Sequence, residues 1–80
     1  MKFVISKRAR RHIEKLAGAE QRLRKKPSLG LVYAEHKSGV VRRVLLTRTS
    51  HHLYYRYHPD REELVVLAVW GAPKERGPKL

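Results

Sequence analysis

The chain has 80 residues, of which 19 are Lys or Arg and 7 are Asp or Glu, so its formal net charge is +12. This length allows a single domain over residues 1–80, and the absence of cysteine excludes a disulfide framework and a thiolate metal site. A balance this basic favours a polyanionic partner, which is nucleic acid, an acidic protein or a membrane surface.

The hydropathy pattern argues against the membrane. The longest apolar run, residues 64–70, is far too short to span a bilayer. The first seven residues lack the apolar stretch of a secretory signal. We therefore expect a cytoplasmic protein without a membrane partner.

The N-terminal part predicts a strand followed by helix. Phe3, Val4 and Ile5 form a short apolar run, and Ser6 is a candidate N-cap for a helix that ends before Pro27. Gly18 within this helix indicates a possible break into two short helices. The stripe expected to face the core consists of Ala9, Ile13, Leu16, Ala17, Glu20 and Leu23.

The remainder of the chain is predicted to be mainly β-structure. Residues 31–34 form an extended stretch between two turns, and strands are expected at 40–49, 53–57 and 64–70. The last strand is apolar on both faces, which is typical of a central strand. The predicted fold class is α+β, with an N-terminal strand, one or two short helices and a three-stranded antiparallel sheet.

Basic residues occupy two prominent places. Four cations (Lys7, Arg8, Arg10 and Arg11) lie at the start of the helix, where acidic residues would be more stabilising. These four cations either form a solvated surface or bind a partner of opposite charge. On the strands, alternation places Tyr54 and Arg56 on one face, either as a stacking platform for single-stranded nucleic acid or as ordinary strand packing.

The histidines do not predict a metal site or a cofactor. His51 and His52 are adjacent in a strand and point to opposite faces, so they cannot chelate one ion. His52 and His58 are candidates for proton transfer. Metal-free RNA cleavage requires such groups together with arginines on the phosphate.

Three segments in the C-terminal half closely resemble the ParE branch of the RelE/ParE toxin superfamily. They are Val-Arg-Arg-Val-Leu-Leu-Thr-Arg-Thr at 41–49, His-Leu-Tyr-Tyr-Arg-Tyr at 52–57 and Val-Leu-Ala-Val-Trp-Gly-Ala at 66–72. The Pro-Ser-Leu-Gly turn at 27–30 and the basic tail at 74–80 are also similar to that branch. The chain differs in having a shorter helical region, residues 7–26, with a cationic start.

The resemblance implies the toxin of a type II toxin–antitoxin pair, of the plasmid stabilisation type. Such a toxin acts by binding DNA gyrase rather than by catalysis, and an acidic antitoxin neutralises it in a hetero-oligomer. Under this interpretation we expect Lys74, Arg76, Lys79, Arg56 and Trp70 to contact the target, and Arg8, Arg11 and Arg22 to contact the antitoxin.

Two alternatives remain open. The sister RelE branch cuts messenger RNA on the ribosome, and the residues that resemble its catalytic set are Arg43, Arg48, Arg56 and His58. A basic module that binds nucleic acid without catalysis is the other alternative.

Overall fold

The chain folds as an α+β protein, with a five-stranded sheet and helical segments packed on one side of it. This computed structural model describes residues 1–37, 39–46 and 51–71. The strands are β1 (Lys2–Ile5), β2 (Leu31–His36), β3 (Gly39–Leu46), β4 (His51–His58) and β5 (Glu63–Gly71). Their order across the sheet is β1-β5-β4-β3-β2.

The sheet is mixed, so the expected three-stranded antiparallel sheet is wrong in strand number and in direction. Strands β2 to β5 form an antiparallel meander. β2 contains the stretch at 31–34, which the sequence predicted only as extended. β1 pairs in parallel with β5, with Phe3 opposite Leu64 and Ile5 opposite Val66. Local patterns predict strands but not their partners, because pairing is decided between distant segments.

β5 is an interior strand, as its apolar sequence predicted, because β1 and β4 flank it. Tyr55 of β4 pairs with Val66, whereas the preceding residue of β4 pairs with Ala68, so Leu67 is the extra residue of a β-bulge. The bulge shifts the alternation by one residue. Val69 therefore joins Val66 in the core under the helical segments.

The helical region consists of two pieces rather than one continuous helix. A 3₁₀ helix spans Ala9–Lys15 and is kinked at His12, whose φ of −120° and ψ of 27° are not helical. The α-helix α1 spans Ala17–Lys25. The break lies at Leu16 and not at Gly18, which is inside α1. No helix in the described ranges is long and apolar enough to cross a bilayer.

The break changes which side chains of this region reach the core. Ile13, expected in the core stripe, is 56% exposed. A 3₁₀ helix repeats every three residues, so the spacing of four that would align Ile13 with Ala9 does not apply there. Among the residues whose burial the structure describes, the buried ones of this region are Ala9, Ala19 and Leu23 in the two helical pieces and Leu16 at the break between them.

The sheet carries a buried cluster on each face. The larger cluster joins the helical segments to residues such as Leu53, Tyr55 and Leu64. The smaller cluster consists of Val41, Tyr54 and Ala68. Because Tyr54 and Tyr55 are at most 1% exposed, the structure confirms packing rather than stacking as the role of these two tyrosines.

The turn between α1 and β2 is attached to the core by a tyrosine. Tyr55 Oη donates a hydrogen bond to the carbonyl oxygen of Pro27 at 2.7 Å and accepts one from the Gly30 N–H at 2.9 Å. Arg42 Nη1 donates to the Gly30 carbonyl oxygen at 2.9 Å. A Cβ at Gly30 would lie 2.8 Å from the Arg43 carbonyl oxygen, so this close approach requires glycine.

Candidate binding cleft

A cleft of 330 Å³ opens where the 3₁₀ helix meets the end of β5 and the start of β4. It brings together two guanidinium groups, two imidazoles and one indole, and none of its described lining residues is acidic. The lining residues are Arg8, Arg11, His12, His51, Val69, Trp70 and Gly71. We call this group the basic cleft.

Ser6 fixes the 3₁₀ helix relative to β5. Its Oγ accepts a hydrogen bond from the Ala9 N–H at 3.2 Å and donates one to the carbonyl oxygen of Leu67 at 2.9 Å. The Ser6 N–H also donates to the Val66 carbonyl oxygen at 3.0 Å. The N-cap of the 3₁₀ helix is Arg8, without a side-chain cap hydrogen bond, so the prediction of Ser6 as the N-cap is wrong in position. The Ser6 hydroxyl does accept from an early helical N–H, as expected, and it holds the start of the helix beside the bulge of β5.

Arg8 and Trp70 form one wall of the basic cleft. The Arg8 guanidinium carbon lies 5.6 Å from the centroid of the Trp70 ring, which is a cation–π arrangement. Trp70 is only partly buried. Stacking on an indole limits the orientations of the guanidinium, so Arg8 is positioned at the cleft.

His12 and His51 form the opposite part of the lining. Their ring centroids are 6.0 Å apart. Lys15 Nζ lies 3.3 Å from His12 Nδ1. An ammonium has only donors, so Nδ1 is the acceptor and the neutral ring carries its proton on Nε2.

The surroundings of His12 lower its pKa below the usual 6.5. Burial contributes most, followed by the charge of Lys15 and then by His51 and Arg11, while Glu14 acts weakly in the opposite direction. The ring is therefore mainly neutral at pH 7.

The cleft unites residues that the sequence assigned to different partners. Trp70, expected to contact the target, lies beside Arg8 and Arg11, which were expected to contact the antitoxin. Arg22 is exposed on α1 and is not part of the lining. Of the other expected target contacts, Arg56 lies on β4 and is not part of the lining, and Lys74, Arg76 and Lys79 lie outside the described residues.

The described residues of the nuclease alternative do not line the cleft; they lie on the face of the sheet that carries the smaller cluster, against which Trp70 also packs. Arg43 is opposite Tyr54, and Arg56 is opposite Val41, so both share the face of the smaller cluster. The Arg43 guanidinium carbon lies 5.7 Å from the centroid of the Tyr33 ring. Arg48 falls outside the described residues.

Arg56 and His58 lie side by side over Gly39. A Cβ at Gly39 would lie 3.1 Å from Arg56 Cδ and 3.6 Å from His58 Cε1. Gly39 has a φ of +134°, which also favours glycine. Arg56 Nε is buried and has no hydrogen-bond partner within the described part of the chain.

The structure separates His51 from His52, as their adjacency in a strand predicted. His51 faces His12, whereas the His52 ring centroid lies 6.2 Å from that of Tyr54 on the other face. Burial, and then the charge of Arg43, lower the pKa of His52. Within the described ranges, no three potential metal ligands among His, Asp and Glu come together.

Sequence reasoning did not associate His12 or His51 with the arginines of the helix start. His12 follows Arg8 by four residues, which is a weak local signal. The start of the 3₁₀ helix reaches His51 and Trp70 only because of how this helix packs against the sheet. This packing is not visible in local sequence.

Comparison of the chain with protein-family models and with curated proteins found no match.

Proposed function

We propose that this protein is the toxin of a type II toxin–antitoxin pair, that it inhibits DNA gyrase by binding, and that an acidic antitoxin neutralises it in the cytoplasm. The observation that carries the proposal is the basic cleft, where Trp70 lies next to Arg8 and Arg11. A partner bound through these arginines would also cover Trp70. The antitoxin would then compete with gyrase for the basic cleft, and this competition would neutralise the toxin.

The charge distribution supports a large anionic partner. Arg10, Arg11 and Arg22 are exposed. Between residues that the structure describes there is one ion pair, Arg24 with Glu20, at 2.9 Å. The charges of Arg11 and Arg22 are thus not neutralised by carboxylates of the described chain, and an acidic segment would bind them favourably.

The direct test uses purified gyrase, supercoiled plasmid and the full chain. The proposal expects linear DNA to accumulate after denaturation of the complex, because gyrase is trapped with its DNA cleaved. The double variant Arg8→Ala/Arg11→Ala tests the antitoxin contact. Once an acidic partner is identified by co-purification, this variant should bind it at least about tenfold more weakly.

Arg10→Ala is the matched control, since it removes one charge from the same helix at a residue that does not line the cleft. Binding of the acidic partner should also raise the melting temperature, because a ligand specific for the folded state stabilises it. Absence of linear DNA at saturating protein, or equal melting temperatures with and without the partner, would contradict the proposal.

A second candidate function is a metal-free, ribosome-dependent endoribonuclease. It is favoured by the proximity of Arg56 and His58, which lie next to each other over Gly39, because a guanidinium binds phosphate oxygens and an imidazole can transfer a proton. His58→Ala should abolish messenger RNA cleavage on ribosomes if this candidate is correct. It should leave gyrase trapping unchanged if the toxin binds gyrase.

The same purified protein also tests the remaining alternative, a basic module that binds nucleic acid without catalysis. Such a module would bind naked DNA or RNA alone, with affinity that falls steeply as salt rises. Gel shifts at two salt concentrations, together with neither gyrase trapping nor cleavage, would identify it.

A further inference from the structure

We propose that the outer edge of β2 binds an extended acidic segment of a partner protein, which adds to the sheet as a further strand. β2 is the last strand of the sheet and pairs only with β3 within the described chain. Backbone groups on its other side are therefore a template for another strand. The basic cleft includes no residue of β2, so this inference goes beyond the proposed function and does not depend on it.

The first two residues of β2 expose apolar side chains on opposite faces of the sheet. Leu31 is 74% exposed and lies opposite Arg43, on the face of the smaller cluster. Val32 is 54% exposed and lies opposite Arg42, on the face of the helical segments. Side chains of an added strand also alternate between the two faces, so such a strand would cover both Leu31 and Val32.

Exposed apolar side chains are concentrated at this end of the sheet. Of the seven large ones that are exposed in the described chain, five lie on β2, on β3 or in the turn before β2. They are Leu29, Leu31, Val32, Val40 and Leu45. A local concentration of this kind is typical of an interaction surface rather than of scattered exposure.

The first part of β2 lacks the features that usually protect an edge strand. Residues 31–34 include no charged residue and no proline. The β-bulge of β2 follows Val32, and pairing with β3 resumes at Ala34. Lys37, a cation of the kind that blocks edge pairing, comes only after the end of β2.

Two guanidinium groups extend from β3 toward this edge, one on each face. The Arg43 guanidinium carbon lies 5.7 Å from the centroid of the Tyr33 ring. Arg42 Nη1 donates to the carbonyl oxygen of Gly30, just before β2, at 2.9 Å. A guanidinium has five N–H donors, so one hydrogen bond leaves others for a carboxylate. Acidic side chains on either face of an added strand are therefore favoured.

These charges favour an acidic segment over a second copy of this chain. A second copy has the same apolar residues, but it would bring its own Arg42, Arg43 and Lys37 close to those of the first. Each copy also has a formal charge of +12. Like charges across an interface are unfavourable, so copies associate at this edge only at high concentration.

The backbone of β2 favours a strand over a membrane surface. A lipid surface would cover the exposed apolar side chains but would leave the N–H and C=O groups of the outer edge without partners. An added strand covers the same side chains and also pairs these groups.

The first experiment titrates the full chain with a capped synthetic peptide of about eight residues in which valine and glutamate alternate. NMR of the backbone amides provides the readout. We expect saturable shifts centred on β2 and slower hydrogen exchange of its amides, because new backbone hydrogen bonds form. The same peptide with every second amide N-methylated should bind at least about tenfold more weakly.

A second experiment tests the apolar contacts. Leu31→Thr/Val32→Thr should weaken binding of the peptide about tenfold or more, because less apolar surface is covered. Threonine is favourable in strands, and both side chains are exposed, so the fold is retained. Ile13→Thr is the matched control, since Ile13 is 56% exposed but lies on the 3₁₀ helix, and it should change the affinity less than about twofold.

A third experiment tests the charge. Arg43→Gln should weaken the glutamate peptide about threefold or more, and should change binding of an otherwise identical glutamine peptide less than about twofold. Arg22→Gln is the matched control, because it removes an exposed charge from α1 instead. Equal affinity of the wild-type chain for the two peptides would overturn the acidic character of the partner.

The remaining outcomes overturn the proposal as a whole. They are no saturable binding of the glutamate peptide, equal binding of its N-methylated form, or equal weakening by Ile13→Thr. The titrations of the wild-type chain decide this even if one variant does not fold.

The other occupants of the edge are tested with the same protein. A dimer at the titration concentration in sedimentation velocity, or binding to phosphatidylglycerol vesicles, would overturn the proposal if Leu31→Thr/Val32→Thr removed it and the peptide did not bind. Gyrase trapping is measured separately. Its absence contradicts the proposed toxin function, whereas absence of peptide binding contradicts only the role of the β2 edge.

Discussion

Tyr55 connects the core of the protein to the turn before β2. Its ring is fully buried, and its hydroxyl serves both Pro27 and Gly30. Burial raises the pKa of this phenol, opposed by the hydrogen bond from Gly30 and by the charge of Arg42. Tyr55 therefore has a structural role, although the sequence around it was also compatible with a binding surface.

Removing this hydroxyl should destabilise the fold. Tyr55→Phe leaves the Pro27 carbonyl oxygen and the Gly30 N–H without their partner, and we expect the free energy of unfolding to fall by about 1–3 kcal/mol. Urea denaturation measures the change. Tyr57→Phe, a partly buried tyrosine on the same strand and face, is the matched control. An equal effect of both substitutions would contradict the role of the Tyr55 hydroxyl.

Two histidines make stability depend on pH. Burial lowers the pKa of both His12 and His52 below 6.5. The unfolded chain then binds more protons than the folded chain as pH falls through 6.5, so the stability that these groups contribute above this pH is lost on acidification.

The expected outcome is a lower free energy of unfolding at about pH 5.5 than at about pH 8. His12→Gln/His52→Gln should reduce this difference, because glutamine does not titrate. Urea denaturation at both pH values provides the measurement. A wild-type chain that becomes more stable on acidification would contradict the pKa directions.

At the scale of elements, the strands were predictable and their neighbours were not. The apolar run of residues 64–70 was sufficient to predict an interior strand, and alternation around Tyr54 gave the correct faces of β4. The parallel pairing of β1 with β5 lies beyond any local pattern, because Lys2 and Glu63 are 61 positions apart in the sequence.

The helical region and the basic cleft were less predictable for a common reason. The stripe that placed Ile13 in the core assumed one regular α-helix, whereas the segment up to Lys15 is 3₁₀ and kinked at His12. The orientation of Arg8 and Arg11 depends on that geometry. Sequence therefore identified the arginines but not the surface to which they belong.

β2 is an edge strand with exposed apolar side chains. Leu31 is 74% exposed and Val32 is 54% exposed. Unpaired edges with apolar residues promote association between copies, and lysine at such positions opposes it.

Leu31→Lys/Val32→Lys should therefore reduce self-association at high concentration, as measured by sedimentation velocity. Its free energy of unfolding should stay within about 1 kcal/mol of the wild type, since neither side chain is buried. Val41→Lys is the contrasting variant, because Val41 is fully buried in the neighbouring strand and the change should unfold the protein. Unchanged association of the double lysine variant would contradict the role of this edge.

At the scale of the whole molecule, the formal charge of +12 acts against the compact state. Added salt screens repulsion between cations. We expect the urea midpoint of unfolding to rise between about 0.01 M and about 0.2 M NaCl. KCl should act equally, because screening depends on ionic strength, and a midpoint that falls with either salt would contradict the argument.

The parallel pairing of β1 with β5 constrains the order in which the protein assembles. Every other strand pair joins neighbours along the chain, and these short connections close at little entropic cost. During synthesis β1 leaves the ribosome before the other strands but has no hydrogen-bonding neighbour until β5 has followed. We therefore expect docking of β1 onto β5, with the Ser6 hydroxyl on the Leu67 carbonyl oxygen, to be the step that completes the sheet.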